Sequence, residues 1–291
     1  MAINFADLAK KAKAVASGEK KSFGDDRIWY PKRNEAGNAE AIIRFLPGAD
    51  GNESNEIPWV ATWNHAFQDK GGWYFENSLT TKGLDDPVSK ANAILWNSGL
   101  DSDKELARKR KRKLAYYSNI LVVKDKATPA NEGKVFLFKY GKKIFDQIQA
   151  AMDPEFEDDV VINPFNLSGK STPTSPAGAD YRFKITVVDN YANYDKSKFA
   201  DPSDCKIGEK IKDCYDLKEI VADDKFKSYE ELEKRFLLVT GATANMRKTM
   251  EDETMEEEDI PMSKPPELSS EDSSTLDRFR NLANMDSDVP Y

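Results

Sequence analysis

Cysteine and histidine are nearly missing from this 291-residue chain, which has Cys205, Cys214 and a single His65. Two cysteines are too few for a disulfide framework and fit a reducing compartment. One histidine leaves little scope for imidazole acid–base chemistry or a histidine-rich metal centre. No P-loop, HExxH or nucleophile-elbow pattern appears. No apolar run approaches the ~20 residues that span a bilayer, and the first residues lack a signal peptide's apolar segment. Internal repeats are absent too. What remains is a polar chain, 39% hydrophobic and 32% charged, long enough for one large domain or two small ones.

Its net charge of −8 is unevenly placed. Met246 to Tyr291 holds 13 Asp/Glu and 5 Lys/Arg, so that segment alone carries the −8, and the remaining residues hold 38 of each sign. The low pI therefore does not argue against an anionic ligand for the body.

Residues 2–16 read as a short helix with Phe5, Leu8 and Val15 on one face. Strands are expected at 41–46, 58–67 and 73–76, the last two joined by the turn Asp69-Lys-Gly-Gly72. Residues 77–103 read as irregular or partly helical. Further strands fall at 120–123, 134–140 and 181–188, the last with one wet face. Residues 142–152 have helical spacing through Ile144, Phe145, Ile148 and Met152. A helix over 225–239 opens on Ser228, three residues before Glu231, in capping-box spacing. Beyond Gly241 apolar content drops and disorder is expected, with Leu276, Phe279, Leu282 and Met285 spaced like one short helical face. Short strands and hairpins with few long helices suggest a small barrel or open sheet with helices around it, an α+β protein with a mainly β core.

The densest charge is Arg108-Lys-Arg-Lys-Arg-Lys113, which runs into Tyr116 and Tyr117. Like charges repel, so such a block is usually kept for a polyanion or in a disordered tail. Cations followed by rings suit single-stranded nucleic acid, which offers phosphates and unpaired bases. A solvated basic turn before a strand is the competing reading.

Several blocks sharpen the choice. Gly37-Asn-Ala-Glu-Ala-Ile-Ile-Arg-Phe-Leu-Pro47, Lys111-Arg-Lys113, Ser118-Asn-Ile-Leu-Val-Val-Lys-Asp125 and Asn131-Glu-Gly-Lys-Val-Phe136 resemble the single-stranded DNA-binding proteins of T-even-type bacteriophages. So do Gly141-Lys-Lys-Ile144, Asn193-Tyr-Asp-Lys-Ser-Lys-Phe199 and Asp224-Lys-Phe-Lys-Ser-Tyr-Glu-Glu-Leu232. The resemblance runs from about residue 30 to 240. It implies an OB-fold barrel with a smaller subdomain around 62–107 and a cleft for single-stranded DNA. It also implies a cooperativity segment at 1–22, a core over 23–245, and an acidic tail at 246–291 that recruits phage replication and recombination proteins. The expected setting is the cytoplasm of an infected bacterium.

Two departures stand out. The family holds zinc through one histidine and three cysteines, and His65 matches the histidine. The cysteine region reads Ser78-Leu-Thr-Thr-Lys-Gly-Leu-Asp-Asp-Pro-Val-Ser89, and serine is not a zinc donor at neutral pH. No cofactor is expected, and packing by Trp63, Phe67, Trp73 and Phe75 should hold the subdomain. The family's basic arm near residue three is replaced by Met1-Ala-Ile-Asn-Phe5, and the matching core string reads Lys111-Arg-Lys-Leu-Ala115. This puts charged docking between protomers in doubt.

The expected phosphate contacts are Lys109, Arg110, Lys111, Arg112 and Lys113, extended by Arg44, Lys139, Lys142 and Lys143. The expected stacking rings are Tyr116, Tyr117, Phe138, Tyr140, Tyr191 and Tyr194, with Trp73 and Trp96 as further contacts. Adjacent Tyr116 and Tyr117 point to opposite faces of a strand, so one stacks while the other packs. Leu276, Phe279 and Leu282 are the expected partner anchor. Two rivals stay open: a metal-dependent nuclease using Asp153, Glu155, Glu157, Asp158 and Asp159, and an interaction scaffold with weak DNA binding. RNA is not excluded by stacking chemistry.

Overall fold

Strand β4 (Lys113–Lys124) is the trunk of the molecule. The computed structural model describes residues 25–48, 57–156 and 159–241. The predicted N-terminal helix and the tail anchor Leu276, Phe279 and Leu282 lie outside the described residues. Around β4 are β1 (Ala39–Phe45), β2 (Val60–Asp69), β3 (Gly72–Asn77), β5 (Val135–Tyr140), β6 (Ala179–Val188), β7 (Tyr191–Asn193) and β8 (Lys198–Pro202). They form an open antiparallel sheet in the order β3-β2-β4-β1-β6-β7, with β5 added to β4 and β8 to β6.

One edge of β4 pairs through residues 116–121 with β5. Its residues 113–117 pair with β2 and 120–124 with β1. β2 and β1 therefore share the other edge end to end. Because side chains alternate across a strand, Tyr116, Ile120 and Val122 point to one face. There they meet Ile43 and Phe45 of β1, Phe138 and Tyr140 of β5, and Tyr181, Phe183 and Ile185 of β6. Helix α3 (Lys142–Met152) closes this core with Ile144, Phe145 and Ile148, the face its spacing predicted. Each fully buried side chain of this size contributes about 1.5–3 kcal/mol.

The second core lies under the β2–β3 hairpin. Phe67 stacks on Tyr74 at 5.0 Å, and Phe236 meets both edge-on. Val88 and Ala91 of α1 (Pro87–Asn97) and Val239 of α4 (Tyr229–Thr240) complete it. Helix α4 starts with the predicted capping box, Ser228 accepting from Glu231 N–H while the Glu231 carboxylate accepts from Ser228 N–H. Gly71 allows α4 to come close: a Cβ there would lie 2.3 Å from Leu238 O.

Three expectations change here. Residues 77–103, read as irregular or partly helical, hold all of α1 and the first three residues of α2 (Asp101–Arg110). Their apolar stripes are thin, which hid the period. The basic run starts as the last turn of α2, where Arg108, Lys109 and Arg110 complement the helix dipole, with Asp101 and Asp103 in the first turn. Trp73 and Phe75 do not pack the subdomain: they are 53% and 57% exposed, whereas Phe67 and Trp63 are buried.

Candidate nucleic-acid interface

The outer face of β4 carries the odd-numbered residues Lys113, Ala115 and Tyr117. Tyr117 is half-buried and lies opposite Lys139, whose ammonium sits 5.5 Å from the ring centroid. Lys113 is exposed opposite Asn64 of β2. Two residues along β2, Ala66 lies opposite Phe75. Trp73 and Phe75 therefore share this face, their rings parallel within 11° at 4.9 Å. Lys109 and Lys111 are exposed beside it. The half-buried Arg112 guanidinium lies 4.5 Å from the Trp63 centroid. The face thus offers stacked rings, a cation over a phenol ring and a row of lysines.

The inner face holds the other half of the tyrosine pair. Tyr116 is 5% exposed and stacks on Phe145 at 4.0 Å, and burial pushes its phenol pKa up. Phe138 and Tyr140 are buried in the same core, with Tyr140 Oη 2.9 Å from Ser118 Oγ. As placed, Tyr116, Phe138 and Tyr140 have no face open to a base, contrary to their expected role as stacking rings. Alternation had fixed the opposition of Tyr116 and Tyr117 but not which one faces in.

Two expected phosphate contacts are also internal. Arg44 is fully buried: Nη1 lies 3.3 Å from Asp180 Oδ1, and Nη2 donates to Asn166 O (2.8 Å) and Ser203 O (2.9 Å). Burial pushes the Asp180 carboxyl up despite the opposing Arg44 charge. Gly178 makes room, since a Cβ there would come within 1.8 Å of Asn166 O. Arg110 is 5% exposed, pairs with Asp69 and lies over Phe67 and Phe236. Its side chain stitches α2 to the second core.

The remaining residues are spread out. Lys142 pairs with Asp146 and Lys143 with Asp195, all exposed. Tyr191 is 77% exposed, next to the β6–β7 turn. In that turn Asp189 and Asn190 both have positive φ, as a two-residue hairpin requires. Tyr194 packs half-buried against Phe183. Trp96 of α1 has the Arg108 guanidinium 5.3 Å over its ring. Among the described residues no three His, Cys, Asp or Glu side chains gather as a metal would need. Glu157 and Asp158 lie outside the described residues.

His65 sits in a buried polar cluster. Asp86 caps α1, its Oδ1 accepting from Val88 and Ser89 N–H at 3.0 Å each. Its Oδ2 accepts from Ser78 Oγ at 3.0 Å and Leu79 N–H at 3.2 Å. His65 Nε2 lies 3.2 Å from Oδ1, and Nδ1 donates to Arg110 O at 2.8 Å. Burial alone would push the Asp86 carboxyl up, but His65, Ser89 N–H and Ser78 hold it below the usual carboxylate range. The sequence reading missed this hub, although Asp86-Pro87 is a helix-start signal. It also missed Phe75 as an outward-facing ring.

The fold is an α+β protein on an open antiparallel sheet with a cation- and ring-bearing outer face. Comparison with known proteins narrows it. Residues 37–240 match the family described as "gp32 DNA binding protein like". The single-stranded DNA-binding protein of Enterobacteria phage T2 is 37% identical over 251 residues, covering 82% of this chain and 78% of that protein. That of Enterobacteria phage T4 is 36% identical over 246 residues, covering 81% and 77%. This chain belongs to the gp32-like DNA-binding protein family.

Proposed function

We propose that this protein binds single-stranded DNA without regard to sequence, removing secondary structure and protecting the strand during phage DNA replication, recombination and repair. The observation that carries the reading is the Tyr117–Lys139 pair beside Lys113 on an open sheet face, in a family whose relatives are named single-stranded DNA-binding proteins. The lysines neutralise phosphates, and Tyr117, Trp73 and Phe75 offer π-faces that any base can use. In this reading the β4-centred sheet is an opened OB-type barrel, residues 1–22 serve self-association along the strand, and 246–291 recruit replication proteins. The protein binds and does not cleave.

The test is quenching of intrinsic fluorescence on titration with poly-dT, poly-U and duplex at several salt concentrations. Poly-dT should bind more tightly than duplex. If Lys109, Lys111, Lys113 and Lys139 each meet a phosphate, log K should fall with log salt at about −2.8, taking about −0.7 per contact. Tyr117→Ala should weaken poly-dT binding by about 1–3 kcal/mol, the worth of one stacked base. Equal affinity for poly-dT and duplex would defeat the reading, and divalent-metal-dependent cleavage would favour the nuclease.

The family's zinc does not fit this chain. Asp86 already accepts from four donors and faces His65, and Ser78 and Ser89 are not zinc donors at neutral pH. In this reading the Asp86 hub holds by hydrogen bonding the region where the resemblance implies a zinc site. Chelator should therefore leave the melting temperature unchanged and added zinc should not raise it; a chelator-induced drop would overturn this.

A further inference from the structure

A second concentration of positive charge lies on the outer face at the β1–β6–β8 end, and no sequence motif pointed to it. Ile42 of β1 is opposite both Lys124 and Arg182, and Arg182 is in turn opposite Lys198. One step along, Glu40 is opposite Lys184. Lys124, Arg182, Lys184 and Lys198 are all exposed. With Lys126 and Lys196 they line a cleft of about 330 Å³. A second cleft of about 620 Å³, which shares Glu40, Lys126 and Lys184 with the first, is lined also by Lys32 and Arg33. Among the described residues Glu40 is the one carboxylate lining either cleft, and Lys126 already holds it at 2.8 Å.

Like charges directly opposite each other weaken an antiparallel pair, and Arg182 and Lys198 are such a pair. Concentrating one sign in a concave surface opposes folding and favours an anion. The lining bears on the chemistry of that anion: among the described residues the one ring lining either cleft, Phe183, is 2% exposed and belongs to the core. Among the described residues that line the clefts none presents an open ring to a base; the exposed Tyr191, opposite Val188 on the same face of β6, stands beyond them.

We propose that this ladder is a second phosphate-binding track that grips the sugar–phosphate backbone of the bound DNA and leaves its bases untouched. The proposal rests on the single-stranded DNA reading and extends it to a separate surface. Between the ladder and Tyr117 the outer face of β4 is covered. Ile207, Cys205 and Cys214 pack over Leu121 and Val135, and Asn119 exchanges hydrogen bonds with the Tyr215 backbone. A strand using both surfaces must pass around this cover.

The chain's own acidic segment is the other polyanion at hand. Gly71 N–H donates to Val239 O at 2.7 Å, which fixes the end of α4 at the β2–β3 turn. From that turn, down β2 and along β4 to Lys124, the path is about 16 residues, or about 50 Å of strand. The acidic run 251–259 starts ten residues past Gly241, so its near end reaches about 35 Å and its far end, eighteen residues past, about 60 Å; the segment is thus a competitor that the test must separate from DNA.

The test uses the full chain with Arg182→Glu and Lys184→Glu, titrated with oligo-dT of about 6 nucleotides, within one OB-type site, and of about 40. The short oligomer should bind as it does to the parent. The long one should bind at least about tenfold more weakly at low salt, with a salt slope shallower by about 1.4, two contacts' worth. The neutral pair Lys184→Gln and Lys198→Gln should move in the same direction without lowering the melting temperature. Unchanged affinity and slope for the long oligomer in both variants would overturn the proposal. So would unchanged DNA binding with lost capture of a free peptide of residues 246–291, which would assign the ladder to acidic protein segments. Failure of the parent to bind the long oligomer more tightly than duplex would instead defeat the single-stranded DNA reading, and this proposal with it.

Discussion

Asp86→Ala should destabilise the protein by about 3–5 kcal/mol, the cost of removing one partner from a buried, hydrogen-bonded charge cluster. For a body of this size that lowers the melting temperature by on the order of 10 °C. The carboxylate accepts from Val88, Ser89, Leu79 and Ser78 and faces His65, so its loss strands donors on three segments at once. Asp86→Asn should be milder, because an amide still caps α1. The same bonds hold the Asp86 carboxyl below its unfolded value. Their contribution is therefore complete above pH about 4 and is lost as pH falls through the lowered value. Thermal melting followed by circular dichroism checks both results. A melting temperature for Asp86→Ala within the error of the parent's would show that packing alone holds the subdomain.

Arg44→Ala should be comparably destabilising, about 3–5 kcal/mol, and should not alter DNA binding by the molecules that remain folded. The guanidinium joins β1 to Asp180, at the start of β6, and to the Asn166 and Ser203 carbonyls, with no exposed surface. Lys113→Ala and Lys139→Ala should do the reverse: little change in melting temperature, and a salt slope shallower by about 0.7 each. Melting curves and salt titrations on the same three preparations separate the roles. A shallower slope in Arg44→Ala would return that residue to the phosphate contacts.

Arg44 also shows where sequence reading runs out. Local pattern found β1, the β2–β3 hairpin, β5, α3, β6 and the α4 capping box, because each follows from period or turn chemistry within a few residues. Alternation put Tyr116 and Tyr117 on opposite faces. Which face is inner depends on α3 delivering Phe145 against Tyr116, a contact between distant segments. Arg44 and Arg110 read as surface cations because their acceptors, Asp180 and Asp69, are far away in sequence. Helices α1 and α2 were blurred because small and charged residues dilute their period. The wet face of β6 was legible as alternation, but its alignment with Lys124 required the register of β1 and that with Lys198 the register of β8.

The trunk position of β4 also sets a timetable. Ala39 finds its partner Ile185 146 residues later, so at ribosomal rates of about 5–20 residues per second β1 is made some 7–30 s before its second neighbour. In that interval β4 and β5 can already be built onto β2 and β3, leaving one flank of β1 open. Contacts this distant fold slowly. The joining of β6 to β1 is therefore the step at which a newly made chain is most exposed to mispairing with its neighbours.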